Sequence, residues 1–137
     1  MFSIGVLSRQ TGVKIPTIRY YEQIGLLPEG ERNAGNQRRY DQAGLEALGF
    51  IKHARDLGFS LDDIRALMTL NGQLGADCAT ANRIAEAQLA EVRLRISRLQ
   101  RLEAELERIT RLCKGGEGSC KVLTALADHG QCSGEHH

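Results

Sequence analysis

The stretch Lys14-Ile15-Pro16-Thr17-Ile18-Arg19-Tyr20-Tyr21-Glu22-Gln23-Ile24-Gly25-Leu26-Leu27-Pro28 decides the fold of this chain. Pro16 suits the first turn of a helix, where a backbone N–H is not needed and a fixed φ is already helical. The apolar residues after it recur at helical spacing, and Gly25-Leu26-Leu27-Pro28 then breaks the pattern. The stretch therefore predicts a helix from Thr17 to about Ile24.

The residues before this stretch predict a shorter helix. Ser3 is available as its N-cap, and Gly12 is placed to end it and to allow a tight turn. One side of this helix is apolar and is formed by Ile4, Val6, Leu7 and Val13. A helix, a glycine-containing turn and a second helix make the helix-turn-helix pattern.

The residues after the stretch predict a wing and two more helices. Residues 29–40 are rich in Gly, Asn, Gln and Arg and predict a loop or a short β-hairpin. Asp41 is a candidate cap for a third helix that runs to about Leu57, where Gly58 stops it. Ser60-Leu61-Asp62-Asp63 resembles a capping box and opens a fourth helix to about Leu70, with a loop over residues 71–75.

The longest predicted element is a helix from about Thr80 to Leu112, roughly 50 Å long. Its apolar residues are spaced three or four apart, close to the coiled-coil repeat, and are Leu89, Val92, Ile96, Leu99, Leu102, Leu106, Ile109 and Cys113. A small head cannot cover such a seam, so we expect the helix to pair with a second copy; the alternative is packing within its own chain. A glycine-rich loop, a short helix at Val122–Ala127 and a polar tail follow.

Composition and charge limit the class of protein to which this chain can belong. The 137 residues contain 4% aromatic residues and no Trp, which argues against a thick globular core. Residues 1–55 carry 8 Lys/Arg against 5 Asp/Glu, whereas residues 56–137 carry 10 against 12, so the basic half favours a polyanion partner. No signal peptide or membrane span is expected, which predicts a cytoplasmic protein whose cysteines serve as ligands, redox sensors or core residues.

Four segments together resemble the MerR family of bacterial transcription regulators. They are the run from Thr17 to Glu22 with its Gly-Leu-Leu-Pro, Asn36-Gln37-Arg38-Arg39-Tyr40, the residues from Phe50-Ile51 to Ile64, and the long helix with its terminal loop. The resemblance implies an all-α fold, in which a winged helix-turn-helix DNA-binding domain is followed by a long antiparallel coiled-coil dimerisation helix. We place the DNA-binding domain at residues 1–75, the dimerisation helix at 76–112, and the metal-binding loop, short helix and tail at 113–137.

The same resemblance and simple chemistry single out the residues that meet double-stranded promoter DNA. Arg19 carries a planar fork of donors suited to phosphate, Tyr20 adds a hydroxyl on a rigid ring, and Thr17 lies at a helix N-terminus that favours anionic groups. Arg38 and Arg39 of the wing can reach the backbone or the minor groove, and Tyr40 is predicted to anchor the wing by packing. A lone arginine is usually a solvated surface charge, but these cluster on the two elements that a winged helix presents to DNA. The predicted DNA-binding set is Thr17, Arg19, Tyr20, Arg38, Arg39 and Tyr40.

Three cysteines form the candidate metal site. Thiolates prefer soft or borderline cations, and Cys113 and Cys120 flank a glycine-rich loop that can bring both sulfurs to one ion. In an antiparallel dimer Cys78, just before one long helix, approaches this pair in the partner subunit. A buried small hydrophobe is the plainer explanation for any single cysteine. His129 and Cys132 in the tail could add ligands, although the alternative for this tail is disorder.

The resemblance narrows the choice of ion. Metal sensors of the family place two cysteines around such a loop, and members that answer divalent ions add a cysteine at the position of Cys78, which implies cadmium, lead or zinc here. Zinc sensors usually have two adjacent cysteines where this chain has Cys113-Lys114, so this departure weakens the assignment of zinc and favours a single ion. Mercury also accepts three thiolates but fits less well, because its sensors have a longer loop.

The resemblance also implies how the protein works. The homodimer would sit on promoter DNA with RNA polymerase, repress without metal, and activate by distorting the DNA when the ion binds. The alternative is a thiol redox regulator in which Cys113 and Cys120 form a disulfide, with Lys114 favouring the reactive thiolate. About 25 residues after the long helix cannot form a drug-binding domain, and no phosphate loop, nucleophile elbow or His-Glu metalloprotease motif indicates an enzyme.

Overall fold

The computed structural model describes residues 1–70, 78–112 and 120–127. Helices dominate these residues, and a small sheet of three short strands accompanies them. In chain order the elements are β1 (Phe2–Ser3), α1 (Ile4–Thr11), α2 (Ile15–Gln23), β2 (Glu31–Arg32), β3 (Arg38–Tyr40), α3 (Gln42–Asp56), α4 (Leu61–Leu70), α5 (Cys78–Leu112) and α6 (Lys121–Ala127). The predicted winged, mainly helical fold is confirmed, and the loop predicted at residues 71–75 lies outside the described residues.

The first two helices begin and end where local chemistry allows. The Ser3 hydroxyl accepts a hydrogen bond from the Val6 amide at 3.3 Å, and Gly12 ends α1 in the left-handed region at φ 77. Helix α2 begins at Ile15, two residues earlier than predicted, because Lys14 is the extended residue before the helix and Pro16 fits within its first turn.

The caps predicted for α3 and α4 are confirmed. The Asp41 carboxylate accepts from the Gly44 amide at 2.9 Å, and the Ser60 hydroxyl accepts from the Asp63 amide at 3.1 Å. Between the two helices Gly58 has φ 89, a conformation that residues with a β-carbon rarely adopt. The chain therefore turns sharply enough for α4 to pack against α3.

The wing is a hairpin with an additional strand. Strand β3 lies in the middle of the sheet and pairs antiparallel with both β1 and β2. In the register Arg39 lies opposite Ser3 on one side and opposite Glu31 on the other. The hairpin was predicted; the pairing with β1, which ties the N-terminus of the chain to the wing, was not.

The chain divides into two compact units, Met1–Gln88 and Leu89–His137. The core of the first unit contains six fully buried apolar side chains, Leu7, Ile18, Leu27, Leu48, Ile51 and Ile64. Burial of each such side chain is worth about 1.5–3 kcal/mol. Ile84 of α5 packs against this core, and the Gln88 side-chain amide donates to the Leu57 carbonyl at 3.1 Å, so the first turns of α5 belong to the first unit.

The second unit is largely one helix with an exposed apolar surface. Its exposed apolar side chains in α5 include Leu89, Ile96, Leu99, Leu102 and Leu106, whereas Ile109 is buried. Among the described residues, no helix is long and apolar enough to cross a membrane. The domain boundaries at residues 75 and 112 stay predictions.

Candidate functional site

Helix α2 has one face in the protein core and another at the surface. Ile18 and Tyr21 are buried, which confirms Tyr21 as a core residue. Arg19 is exposed, and the Tyr20 side chain is 48% exposed. Thr17, in the first turn of the helix, is half-buried. The structure thus presents Arg19 and Tyr20 to solvent, as a contact with a large partner requires.

Glu22, on the same helix, is a buried carboxylate with three different donors. The Tyr40 hydroxyl donates to Glu22 Oε1 at 2.7 Å, the Gly30 amide donates to Oε2 at 3.2 Å, and Arg38 Nη1 lies 3.4 Å from both oxygens. The Glu22 side chain is only 1% exposed. Buried charges are tolerated when they are paired and hydrogen-bonded, and this one is. Glu22 is absent from the residues that the sequence predicts for the site.

Tyr40 lies beneath the wing. Its side chain is 2% exposed and its hydroxyl is bonded to Glu22, which is the packing role predicted for it. This burial removes its side chain from the surface that could touch DNA. Desolvation, followed by the Glu22 carboxylate, raises the pKa of Tyr40 from 10.0 to about 12.

The two neighbouring arginines of β3 differ in their surroundings. Arg38 pairs with Glu22 and lies 3.9 Å from Glu29, and its side chain is 30% exposed. Arg39 is half-buried, and in the described part of the chain its side chain has no hydrogen bond or ion pair. All the donors of Arg39 are therefore available, whereas Arg38 commits Nη1 to Glu22.

The tip of the wing is held by its own polar groups. The Asn33 side-chain oxygen accepts from the Gly35 and Gln37 amides at 3.0 and 2.9 Å. Arg32 Nη1 donates to the Asn36 carbonyl at 2.9 Å, and Asn36 has φ 62. Asparagine tolerates this left-handed conformation better than most residues. The conformation of the wing tip is thus fixed by hydrogen bonds of its own side chains.

The candidate metal ligands are only partly within the described residues. Cys78 is exposed and is the first residue of α5, so the helix begins two residues before the predicted start; Cys120 is exposed and precedes α6. Cys113, His129 and Cys132 lie outside the described residues. Within those described, no three or more His, Cys, Asp or Glu side chains come close enough together to hold a metal ion. Accessible sulfur donors at Cys78 and Cys120 fit a soft cation in their chemistry.

Comparisons with known proteins agree with this arrangement. The family profile described as MerR HTH family regulatory protein matches residues 2–70, and the one described as MerR, DNA binding matches residues 45–109. The mercuric resistance operon regulatory protein of Serratia marcescens is 38% identical over 126 residues, which cover 90% of this chain and 86% of that protein.

Two solved structures are also similar. The transcription regulator PbrR691 from Ralstonia metallidurans CH34 in complex with lead(II) is 37% identical, with a TM-score of 0.75, over 92% of this chain and 99% of the other. HiNmlR, a MerR family regulator lacking the sensor domain and bound to promoter DNA, is 25% identical with a TM-score of 0.58, over 82% of this chain and 88% of the other. Profile, relative and solved structures agree over nearly the whole chain, which belongs to the MerR family of helix-turn-helix transcription regulators.

Proposed function

We propose that this regulator senses a soft divalent ion through Cys78 of one subunit together with Cys113 and Cys120 of the other. The chain is a metal-responsive transcription regulator of its family, it binds promoter DNA as a dimeric protein, and it is not an enzyme. The proposal concerns which ion it answers, which residues hold that ion, and how the response reaches the promoter.

The observation that carries the proposal is the exposed part of the apolar seam of α5, from Leu89 to Leu106. Leu99 is 63% exposed and Leu106 is 58% exposed, at the three-and-four spacing that pairs helices into coiled coils. Exposed apolar surface of this extent on a regular helix calls for a partner surface. A second copy of the same helix supplies a matching seam, and an antiparallel pairing places the start of one helix beside the end of the other.

This pairing explains the spacing of the cysteines. Helix α5 has 35 residues, and a helix of that length spans roughly 50 Å. Cys78 begins the helix and Cys113 directly follows its last residue, Leu112, so the two positions of one chain are a full helix apart. One ion can gather them only if Cys78 comes from one subunit and Cys113 from the other.

The choice of ion rests on donor chemistry and on relatives. Three thiolates suit cadmium, lead or zinc, and a third ligand beyond the loop pair favours a divalent over a monovalent ion. One similar structure holds lead(II) and one similar sequence regulates a mercuric resistance operon. Because one of these relatives regulates a mercuric resistance operon, mercury should be tested together with cadmium, lead and zinc, although mercury sensors have a longer loop.

The DNA-facing surface in this proposal is formed by Thr17, Arg19 and Tyr20 of α2 and by the wing. Arg19 and Tyr20 are exposed beside buried neighbours, so the helix fixes their direction while leaving their polar ends accessible. Such side chains position a protein on the phosphate backbone. We place the protein in the cytoplasm, where a bacterial promoter is found.

The switch requires more than tight binding of the ion. The ion must bind one conformation of the DNA-bound dimer more tightly than the other, because equal affinity for both shifts no population. We propose that the favoured conformation distorts the promoter and realigns its elements for RNA polymerase. An ion bound at the ends of the long helices can favour one conformation of the dimer, because it would join the two subunits.

Transcription in vitro from the target promoter, with a panel of cadmium, lead, zinc, mercury and copper(I), tests this function. We expect divalent ions to activate the wild-type protein and the Cys78→Ser variant to lose that response, because a divalent ion would keep only two thiolates. Operator binding by the metal-free variant should be unchanged. Cys132→Ser is the matched control and should respond like the wild type, since a tail residue must first be ordered to contribute. A normal divalent response from Cys78→Ser would refute the intersubunit site, and a larger defect from Cys132→Ser would move it to the tail.

A further inference from the structure

The buried carboxylate of Glu22 joins the helix and the wing that are proposed to face DNA. It lies on α2, three residues after Arg19, and its three donors come from Gly30, Arg38 and Tyr40, in or just before the two strands of the hairpin. Among the described residues, no other side chain of α2 forms a hydrogen bond with the wing. The relative position of helix and wing therefore depends strongly on this one group.

The strand geometry divides the two arginines of the wing. Successive side chains of a β-strand point to opposite faces, and both Arg38 and Tyr40 reach Glu22. Arg39, between them, therefore points to the other face. Its cross-strand neighbours in the register are Ser3 and Glu31, and within the described residues neither forms an ion pair with it.

The charge of Arg38 is already balanced inside the protein. One carboxylate, Glu22, lies at 3.4 Å and a second, Glu29, at 3.9 Å, while its cross-strand neighbour Arg32 adds a like charge that these carboxylates offset. If Arg38 turned Nη1 towards a phosphate, it would leave Glu22, and a buried carboxylate that loses this donor is costly.

We propose that Glu22 is a positioning residue for operator binding. It holds the wing on α2 through Tyr40, Arg38 and Gly30. Arg38 then serves as the internal counter-ion of Glu22, and Arg39 alone of the pair neutralises DNA phosphate. This proposal rests on the DNA-facing surface proposed above. It assigns different roles to Arg38 and Arg39, which the sequence analysis places together in the DNA-binding set. Glu22 and Tyr40 act on DNA through the direction of the wing, without touching the duplex.

The test is a fluorescence anisotropy titration of the metal-free, full-length protein with a duplex selected from random sequence by the wild-type protein. The slope of log Kobs against log salt counts the phosphates neutralised, at about 0.9 per phosphate. Arg39→Gln should lower the magnitude of the slope by about 0.9, whereas the matched variant Arg38→Gln should leave it unchanged. Loss of slope in Arg38→Gln equal to that in Arg39→Gln would overturn the proposal.

Two further variants separate positioning from plain stability. Glu22→Gln and Tyr40→Phe should each weaken binding about tenfold without lowering the slope, because each loses a hydrogen bond that involves a charged group and neither removes a phosphate contact. Tyr40→Phe removes one hydroxyl and keeps the ring that fills the core, so it remains informative if Glu22→Gln folds poorly. The double variant Glu22→Gln/Arg38→Gln should bind no more weakly than the weaker single variant, since both remove the same pair.

Circular dichroism melts show whether each variant is folded at the temperature of the titration. Wild-type affinity in a folded but less stable Tyr40→Phe protein would reduce Glu22 to a stability role and overturn the proposal. Arg19→Gln serves as the positive control, with an expected slope loss of about 0.9. If Arg19→Gln alone keeps the wild-type slope, the DNA contact proposed for α2 fails while the comparison of Arg38 with Arg39 still decides the present inference.

Discussion

At Glu22 a single buried carboxylate accepts hydrogen bonds from a phenol, a guanidinium and a backbone amide. Each donor alone would compensate only part of the cost of removing the charge from water. Together the three donors make the buried charge tolerable. Loss of any one of them should destabilise the folded protein, because the carboxylate is then less well compensated. Tyr40→Phe is the most specific change with which to test this group, because it removes the hydroxyl without opening a cavity.

Stability at high pH should report the Tyr40 contact. The pKa of Tyr40 is raised from 10.0 to about 12, so the folded protein keeps the phenol proton where the unfolded chain has released it. This stabilisation is complete below pH 10 and is lost as the pH rises through 12. Urea unfolding of wild type and Tyr40→Phe should show their stability gap narrowing by about 1 kcal/mol between about pH 8 and about pH 11. A gap that stays constant would contradict the raised pKa; Tyr20 and Tyr21 are present in both proteins and cancel.

At the level of elements, helix ends were predictable and the wing was only partly so. Helix caps and turns depend on the side chain or backbone of single residues, so the ends of α1, α3 and α4 follow from the sequence. The residues concerned are Ser3, Asp41, Gly58 and Ser60. Strand β1 has two residues, too few to show any alternation, and it pairs with a strand that lies more than 30 residues later in the chain. Such long-range pairing leaves no local signal.

The candidate site shows the same division. Arg19 and Tyr20 are exposed where the helical spacing of their buried neighbours requires it. Glu22 escapes prediction because a glutamate near the end of a helix is usually a solvated residue. Its burial depends on Gly30 and Tyr40, which arrive 8 and 18 residues later in the chain. The assignment of Cys78, Cys113 and Cys120 as metal ligands, with His129 and Cys132 as possible additions, stays a prediction.

The seam of α5 leads to a prediction about assembly with a control inside the same helix. Leu99 and Leu94 are 63% and 61% exposed, but five residues of helix separate them by about 140° around the axis, so Leu94 lies off the seam. Leu99→Asp should convert the dimer to monomer, because it buries a charge between apolar partners, whereas Leu94→Asp should remain dimeric. Light scattering at micromolar concentration measures both. Equal loss of the dimer in the two variants would place the interface elsewhere on the helix.

For the whole molecule, the decisive question is whether one ion joins two subunits. In the proposed arrangement each site takes Cys78 from one chain and Cys113 and Cys120 from the other. A mixed dimer of Cys78→Ser with Cys113→Ser/Cys120→Ser then has one site with all three thiols and one with none. A site confined to one chain would leave both sites of the mixed dimer defective.

The mixed dimer can be isolated by co-expressing the two variants with different affinity tags and purifying through both. We expect two tightly bound lead or cadmium ions per wild-type dimer, one per mixed dimer and none in either variant homodimer, because only the intact set of three thiolates holds a divalent ion well. Ultraviolet thiolate-to-metal absorption during an anaerobic titration gives the stoichiometry directly. A mixed dimer that binds no more ion than the variant homodimers would exclude the shared site, and binding of one ion would tie metal sensing to the antiparallel pairing of α5.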